Sequence, residues 1–178
     1  MIFVLVGSSG SGKTTIGETY FGKEQEIISF TTRDIRFGEQ NGIDYYFISK
    51  DDVNFLIENN LIVEYTIYDS NYYGLLKSEF DKKSKSDCYA ILDYSGYLNV
   101  KKLYPELTVG IFIDIEKELV EKRLKYRGDS KETIKNRLHL YDLEQKNKNK
   151  LDEIIVNNGD LEKTLKIFEK VVDKYKKV

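Results

Sequence analysis

The chain has 178 residues, a mass of 20.8 kDa and a formal net charge of -2, with 40% hydrophobic and 33% charged residues. This composition is typical of a globular protein with one core, and it excludes a disordered chain and nucleic-acid binding through a large basic surface. The single cysteine excludes an internal disulfide, and no signal peptide or membrane-spanning apolar run is visible, so we expect a cytoplasmic protein without membrane or nucleic-acid partners.

The first segment is a short apolar run, Ile2 to Val6, that ends at a glycine. A branched and wholly apolar run of this length predicts a strand buried on both faces of a parallel sheet. Residues 13–20 have the apolar spacing of a helix. The segment between them, Gly7 to Thr14, matches the pattern G-x-x-x-x-G-K-[ST] of a phosphate-binding P-loop in its expected place between strand and helix.

This loop predicts a polyphosphate site. Glycines let backbone N–H groups surround phosphate oxygens, and the helix that follows directs the positive end of its dipole at them. We expect Lys13 to reach the terminal phosphates and Thr14 to hold Mg²⁺. The predicted ATP phosphate-binding residues are Ser9, Gly10, Ser11, Gly12, Lys13, Thr14 and Thr15. The pattern alone does not select among hydrolases, switches and kinases.

Two segments differ from this core in character. Residues 29–77 are rich in tyrosine, phenylalanine and threonine, which predicts short strands followed by a helix near residues 51–59. Within this segment, Arg33 and Arg36 offer planar guanidinium groups suited to a second phosphate. Residues 121–149 are strongly charged and predict helix. Both segments are expected to be insertions into the core.

The remaining elements continue the core. Apolar runs at residues 89–92 and 109–113 enclose a stretch that can be helical, which predicts a second β-α-β unit. Residues 154–156 predict a last strand, and Asp160 is expected to cap an amphipathic helix. The elements therefore predict an α/β fold with a parallel sheet flanked by helices.

Residues 29–47, with their two arginines, tyrosine and turn glycines, resemble the signature of the guanylate kinase family. The resemblance continues through Glu64, residues 71–74, Asp93 and residues 123–137, and so covers essentially the whole chain. It implies the P-loop NTPase fold, with a small, mostly β insertion that binds the nucleoside monophosphate (NMP) and a helical lid. The implied regions are a core of residues 1–28, 78–120 and 150–178, an acceptor region of residues 29–77, and a lid of residues 121–149.

The resemblance also implies an activity: ATP-dependent transfer of the γ-phosphoryl group of Mg·ATP to GMP or dGMP, which gives ADP and GDP or dGDP. The acceptor-site residues that match the family are Ser29, Arg33, Arg36, Glu39, Tyr45, Glu64 and Tyr73. In the family, the matching arginines and tyrosines hold the phosphate, and residues matching Ser29 and Glu64 contact guanine. A carboxylate is suited to this base because it can accept hydrogen bonds from the neighbouring N1–H and N2–H₂ donors.

The family's catalytic set maps onto Lys13 and three lid arginines, Arg123, Arg127 and Arg137. As an alternative, Arg123 and Arg127 could simply pair with Glu121 or Asp129.

Two further positions match the family outside the lid. Asp93, at the end of a predicted strand, corresponds to a carboxylate near the metal, directly or through water, and Asn157 corresponds to the adenine pocket.

The sequence departs from the family at two positions near the base. Leu75 replaces a serine or threonine after the Tyr-Gly pair, and Ser95 replaces a second acidic residue. These changes leave open a kinase with altered base preference. A second alternative is a non-catalytic, guanylate-kinase-like module that binds phosphopeptides. The sequence does not indicate the ribose preference, the oligomeric state or whether the physiological role is cellular or viral.

Overall fold

The computed structural model describes residues 1–68 and 70–176, which form two four-stranded sheets and seven α-helices. The strands are β1 (Ile2–Val6), β2 (Ser29–Thr31), β3 (Tyr46–Phe47), β4 (Ile62–Tyr68), β5 (Asn71–Leu76), β6 (Cys88–Ile91), β7 (Thr108–Asp114) and β8 (Glu153–Val156). The helices are α1 (Lys13–Phe21), α2 (Lys50–Glu58), α3 (Lys77–Lys83), α4 (Tyr94–Leu103), α5 (Lys117–Tyr126), α6 (Lys131–Gln145) and α7 (Leu161–Tyr175).

The first sheet is wholly parallel, with the strand order β6-β1-β7-β8. All residues of β1 are buried. Val4 packs in one apolar cluster with Val100 of α4, and Phe3 packs in another with Phe168 of α7. Successive side chains of a strand point to opposite faces, so the apolar run of β1 supplies both halves of the core. The predicted parallel, helix-covered sheet is confirmed.

The second sheet is mixed, with the order β3-β2-β5-β4. Strands β2 and β3 are parallel, whereas β5 runs antiparallel to both β2 and β4. The segment was expected to have short strands followed by a helix, but the two longest strands, β4 and β5, come after α2. The alternation of apolar and polar residues is weak in both strands, because tyrosines lie on both faces and few residues are buried.

Four of the seven α-helices in the described part of the chain, α2, α4, α6 and α7, begin at a side chain that caps them. Ser49 and Asp52 form a reciprocal capping box at α2, and Asp160 accepts from the backbone N–H of Lys163 at α7, as expected. The charged segment predicted to be helical contains α5 and α6, which pack through a small apolar cluster that includes Leu124 and Ile134. No helix in the described ranges is long and apolar enough to cross a membrane.

Candidate active site

The P-loop joins the carboxyl end of β1 to the first turn of α1. Gly10 and Gly12 have left-handed backbone conformations, with φ of +82° and +96°, that residues with side chains rarely adopt. A Cβ atom on Gly12 would lie only 2.4 Å from Nδ2 of Asn157. The shape of the loop therefore requires glycine at both positions.

The ammonium group of Lys13 lies against the loop's own carbonyl groups. Its Nζ atom donates to the carbonyl oxygens of Gly7 at 2.5 Å and Ser8 at 2.9 Å. Burial lowers the pKa of Lys13, while the nearby carboxylate of Glu144 opposes that shift. Because the hydrogen bonds of Lys13 go to neutral carbonyl groups and not to a carboxylate, its ammonium group remains available to an incoming anion.

Asn157 is buried and its side chain contacts the P-loop. Its Nδ2 atom donates to the carbonyl oxygen of Ser11 at 2.7 Å, and its Oδ1 atom accepts from the hydroxyl of Thr164 at 3.1 Å. These bonds tie the P-loop to the segment after β8 and to α7. The role predicted for Asn157 at the adenine base stays a prediction.

Two of the three predicted lid arginines contact the P-loop. Arg123 Nη1 donates to the carbonyl oxygen of Gly10 at 2.8 Å, and Arg137 Nη1 donates to Oγ of Ser9 at 2.5 Å. These partners are 113 and 128 residues apart in the chain. The fold therefore brings positive charge from α5 and α6 to the phosphate-binding loop.

Arg127, the third lid arginine, pairs with Asp129, which is one of the alternatives that the sequence left open. Its Nε and Nη2 atoms donate to the two carboxylate oxygens at 3.1 and 2.6 Å. Glu121 pairs instead with Lys125 at 2.5 Å. Arg137 Nε also lies 3.5 Å from Asp129, so a single carboxylate serves two arginines.

A second cluster of positive charge lies in the loop between β2 and β3. Arg33 Nη1 and Nη2 donate to the two oxygens of Glu39 at 2.7 and 2.6 Å, and the backbone N–H of Arg36 donates to Glu39 at 2.8 Å. The hydrogen bonds from Arg33 lower the pKa of Glu39, so the carboxylate stays ionised. Glu39 therefore orients Arg33 and shapes the loop that carries Arg36.

Aromatic rings surround this arginine pair. The guanidinium carbon of Arg33 lies 5.0 Å from the ring centroid of Tyr45 and 5.4 Å from that of Phe47. The rings of Tyr45 and Tyr73 are 6.2 Å apart. The two predicted tyrosines, one near β3 and one in β5, are thus brought together beside the arginine that the sequence paired with them.

Arg36 of the β2–β3 loop acts electrostatically on residues of the segment that contains α5 and α6. Hydrogen bonds from Arg127 lower the pKa of Asp129, and the charges of Arg137 and Arg36 lower it further. Burial lowers the pKa of Arg137, with the charges of Arg127 and Arg36 adding to the shift. Because electrostatic effects weaken with distance, Arg36 of the β2–β3 loop lies close enough to Asp129 and Arg137 to act on both.

The predicted base-contacting residues lie in one row across the second sheet. Ser29 of β2 is opposite Leu75 of β5, which is opposite Glu64 of β4. Side chains opposite each other in antiparallel strands share a face, so the three residues are neighbours. Leu75, which replaces a polar residue of the family, is wholly buried in the apolar cluster shared with the first sheet.

Glu64 is a buried carboxyl group without full hydrogen bonding. It is 5% exposed, and its Oε2 atom has no hydrogen-bond partner in the described part of the chain. Burial and the charge of Asp93 raise its pKa to about 8, against a hydrogen bond from Asn99 that lowers it. Buried polar atoms are normally paired, so this oxygen is suited to accept hydrogen bonds from a ligand.

Ser95, the second departure from the family, is exposed in the first turn of α4.

The two side chains predicted to serve Mg²⁺, Asp93 and Thr14, follow neighbouring strands of the parallel sheet. Asp93 follows β6, which neighbours β1, and caps α4 by accepting from the backbone N–H of Gly96 at 2.7 Å. Thr14 is exposed in the first turn of α1. Residues 1–68 and 70–176 contain no cluster of three or more His, Cys, Asp or Glu side chains able to hold a metal alone. The donor set therefore fits Mg²⁺ only together with phosphate oxygens.

Two residues near the site were not predicted from the sequence. Glu144, on α6, has a buried oxygen without a partner in the described ranges and acts electrostatically on Lys13. Asn99, on α4, donates a hydrogen bond to Glu64. No sequence pattern identifies either residue, because both lie on polar helices. Which side of such a helix faces the site is known only from tertiary packing.

The parallel sheet and the P-loop define the chain as a P-loop nucleotide-binding protein, and a second cluster of arginine side chains lies around Glu39. The family model described as guanylate kinase matches residues 1–175. A guanylate kinase of Mycoplasma genitalium is 39% identical over 96% of this chain and 74% of its own length, and one of Fusobacterium nucleatum is 37% identical over 88% of each. A crystal structure of guanylate kinase from Anaplasma phagocytophilum superposes with a TM-score of 0.76 at 25% identity, covering 100% of this chain and 87% of that one. The chain belongs to the guanylate kinase family.

Proposed function

We propose that the protein is an ATP-dependent guanylate kinase that transfers the γ-phosphoryl group of Mg·ATP to GMP or dGMP. The observation that carries the proposal is a pair of cationic clusters, one at the P-loop and one around Arg33, together with the buried carboxyl group of Glu64 in the sheet whose strand β2 precedes Arg33. A donor and an acceptor phosphate can each be held by one cluster. The family membership supports the same reaction.

The acceptor is held at both ends in this proposal. Arg33 and Arg36, with the hydroxyl groups of Tyr45 and Tyr73, bind the phosphate of the monophosphate. Glu64 accepts from the N1–H and N2–H₂ groups of guanine, and Ser29 adds a polar contact. Adenine presents no such pair of adjacent donors, so this arrangement favours guanine. Nothing in the site is assigned to the ribose 2′ position, and both GMP and dGMP are included as substrates.

Phosphoryl transfer then depends on alignment and charge. An anionic oxygen of the acceptor phosphate forms a bond to the γ-phosphorus, the bond from that phosphorus to the bridging oxygen breaks, and ADP leaves with the electron pair. No general base is needed, since the attacking oxygen is already ionised. Lys13, Arg123 and Arg137 neutralise the phosphate charge at the P-loop, and Arg127 joins them from the lid.

Mg²⁺ is the proposed cofactor. Thr14 would hold the ion together with phosphate oxygens, and Asp93 would contribute directly or through water. When bound, the ion neutralises phosphate charge and orients the chain of phosphates.

The three regions implied by the resemblance are retained as part of the proposal. Residues 29–77 contain all four strands of the second sheet and form the acceptor region, residues 121–149 form the lid, and the other segments form the core. Lid closure would exclude water from the transferring group and so limit ATP hydrolysis.

A related candidate is a nucleoside monophosphate kinase with altered base preference. The burial of Leu75 beside Ser29 and Glu64 favours it, because a polar contact to the base is replaced by an apolar side chain. It uses the same transfer chemistry and differs only in the base that is accepted.

A coupled assay of ADP release tests both candidates. Purified protein with Mg·ATP is supplied with GMP, dGMP, AMP, CMP, UMP or dTMP in turn. We expect turnover with GMP and dGMP alone. Turnover with a different base would establish the altered preference, and absence of turnover with all six would reject the kinase function and favour a binding module.

A further inference from the structure

Asp129 lies in a short joint between the two lid helices, and its backbone is held on both sides. Its N–H donates to the carbonyl oxygen of Leu124 at 3.2 Å, after Gly128 with φ of +84°. The next residue, Ser130, caps α6 by accepting from the backbone N–H of Thr133 at 3.1 Å. A carboxylate at this place has a defined position relative to both α5 and α6.

The carboxylate of Asp129 binds the Nε–Nη2 edge of Arg127 and forms an ion pair with Nε of Arg137. Arg127 donates from Nε and Nη2 at 3.1 and 2.6 Å, and Arg137 Nε lies 3.5 Å away. The side chain of Asp129 is only 14% exposed, so these contacts are partly shielded from water. A guanidinium has five N–H donors, and this mode leaves Nη1 of Arg127 without a partner in the described ranges while Arg137 uses Nη1 on Ser9.

Asp129 is the acidic partner within a group of arginine charges. Arg127, Arg137 and Arg36 act on one another or on Asp129, and like charges at short distance repel. A single carboxylate between them offsets that repulsion when no phosphate is bound. It also fixes the guanidinium plane of Arg127 and attracts the guanidinium of Arg137 before an anion arrives, which reduces the cost of ordering these groups.

We infer that Asp129 is a positioning residue of the lid, whose carboxylate orients Arg127 and Arg137 for the phosphoryl group in transfer. This role rests on the proposed kinase reaction. Asp129 acts through the two arginines and need not contact the substrate.

The test compares Asp129→Asn with Asp142→Asn, a matched control on α6 whose exposed carboxylate pairs with Lys117 at 2.6 Å. For Asp129→Asn we expect kcat to fall roughly 10- to 100-fold, as for a misplaced catalytic group. The KM for GMP should change by less than about 2-fold, because lid contacts act mainly in the transition state. In an Arg127→Ala background the same change should have a smaller effect, because only Arg137 is then left for Asp129 to orient. Asp142→Asn should match the wild type.

A second measurement does not depend on activity. The measurement uses nucleotide-free, ¹⁵N-labelled protein, in which the Nε–H signal of Arg127 is identified by its absence in Arg127→Ala. This hydrogen should exchange with water at least roughly 3-fold faster in Asp129→Asn, because the amide is a weaker acceptor than the carboxylate. Unchanged kcat would overturn the role of Asp129. Unchanged exchange, or an undiminished effect in the Arg127→Ala background, would overturn the orientation of Arg127 by Asp129. If the wild-type protein phosphorylates neither GMP nor dGMP, the proposed function fails, and the exchange rates still decide whether Asp129 holds Arg127.

Discussion

Replacing Glu64 with glutamine tests both the energetics and the role of this buried carboxyl group. Its pKa of about 8 exceeds the usual value of 4.5, so the folded protein retains a proton that the unfolded chain has lost. Because the folded-state pKa is raised, ionisation opposes folding, and stability falls as the pH rises from 4.5 through 8. Between pH 7.0 and 8.5, linkage gives a loss of about 1 kcal/mol in the free energy of unfolding, or about 3 °C in Tm for a chain of this size.

GMP binding should change in the opposite direction. Only the ionised carboxylate accepts both guanine donors, and with a pKa of about 8 the ionised fraction rises from about one-eleventh at pH 7.0 to about three-quarters at pH 8.5. The apparent affinity for GMP should therefore increase roughly 8-fold over this interval. A phosphate monoester has its second pKa near about 6, so the charge of the phosphate contributes little to the change.

Isothermal titration calorimetry with GMP, and thermal unfolding in the same buffers, measure the two effects. The wild-type protein should bind GMP more tightly and unfold at a lower temperature at pH 8.5. Glu64→Gln should bind GMP weakly at both pH values and lack this part of the Tm shift, and ADP binding should be similar in the two proteins. Equal GMP affinity at both pH values in the wild type would refute the buried, protonated state. GMP binding by Glu64→Gln as tight as that of the wild type would refute the role in reading guanine.

Three further changes address the phosphate sites. Lys13→Ala should lower kcat by at least about 100-fold, whereas Arg33→Ala should mainly raise the KM for GMP, by roughly 10- to 100-fold. Steady-state kinetics measure both parameters. Equal losses in kcat and KM in both variants would contradict separate roles in transfer and in acceptor binding. Glu39→Gln removes the ionised partner of Arg33, and we expect the KM for GMP to rise about 10-fold with kcat nearly unchanged. A loss of kcat without a change in KM would argue that Glu39 does not orient Arg33. Gly12→Ala places a Cβ atom 2.4 Å from Nδ2 of Asn157 at a φ of +96°, and calorimetry should show loss of ATP binding; retained affinity would mean that the loop adapts without cost.

The core of the fold was predictable because its signals are local. The apolar run of β1 requires burial on two faces, and the glycines and Lys13 that follow are contiguous in the chain. The cap at Asp160 was likewise readable, since a capping side chain and the N–H it accepts from are three residues apart. The late strands β4 and β5 were missed as strands because their tyrosine-rich sequences show little alternation.

The candidate site was predictable only in part. Arg33 and Glu39 are six residues apart, yet no spacing rule predicts their bidentate pairing outside regular structure. The proximity of Arg137 to Ser9 depends on the packing of α6 across the P-loop. Asn99 and Glu144 are polar residues on polar helices, and only the packing of those helices places them at the site.

The sequence by itself determined the chemistry that is available: a phosphate-binding loop, a set of arginines and tyrosines, and the carboxyl group of Glu64. Tertiary structure decided which of these groups lie in contact and which of them are protonated. It placed Leu75 between Ser29 and Glu64, gave Arg127 and Arg137 a shared carboxylate, and buried Glu64 enough to raise its pKa. The physical reason is that local periodicity encodes strands and helices, whereas desolvation and charge pairing depend on groups that are distant in the chain.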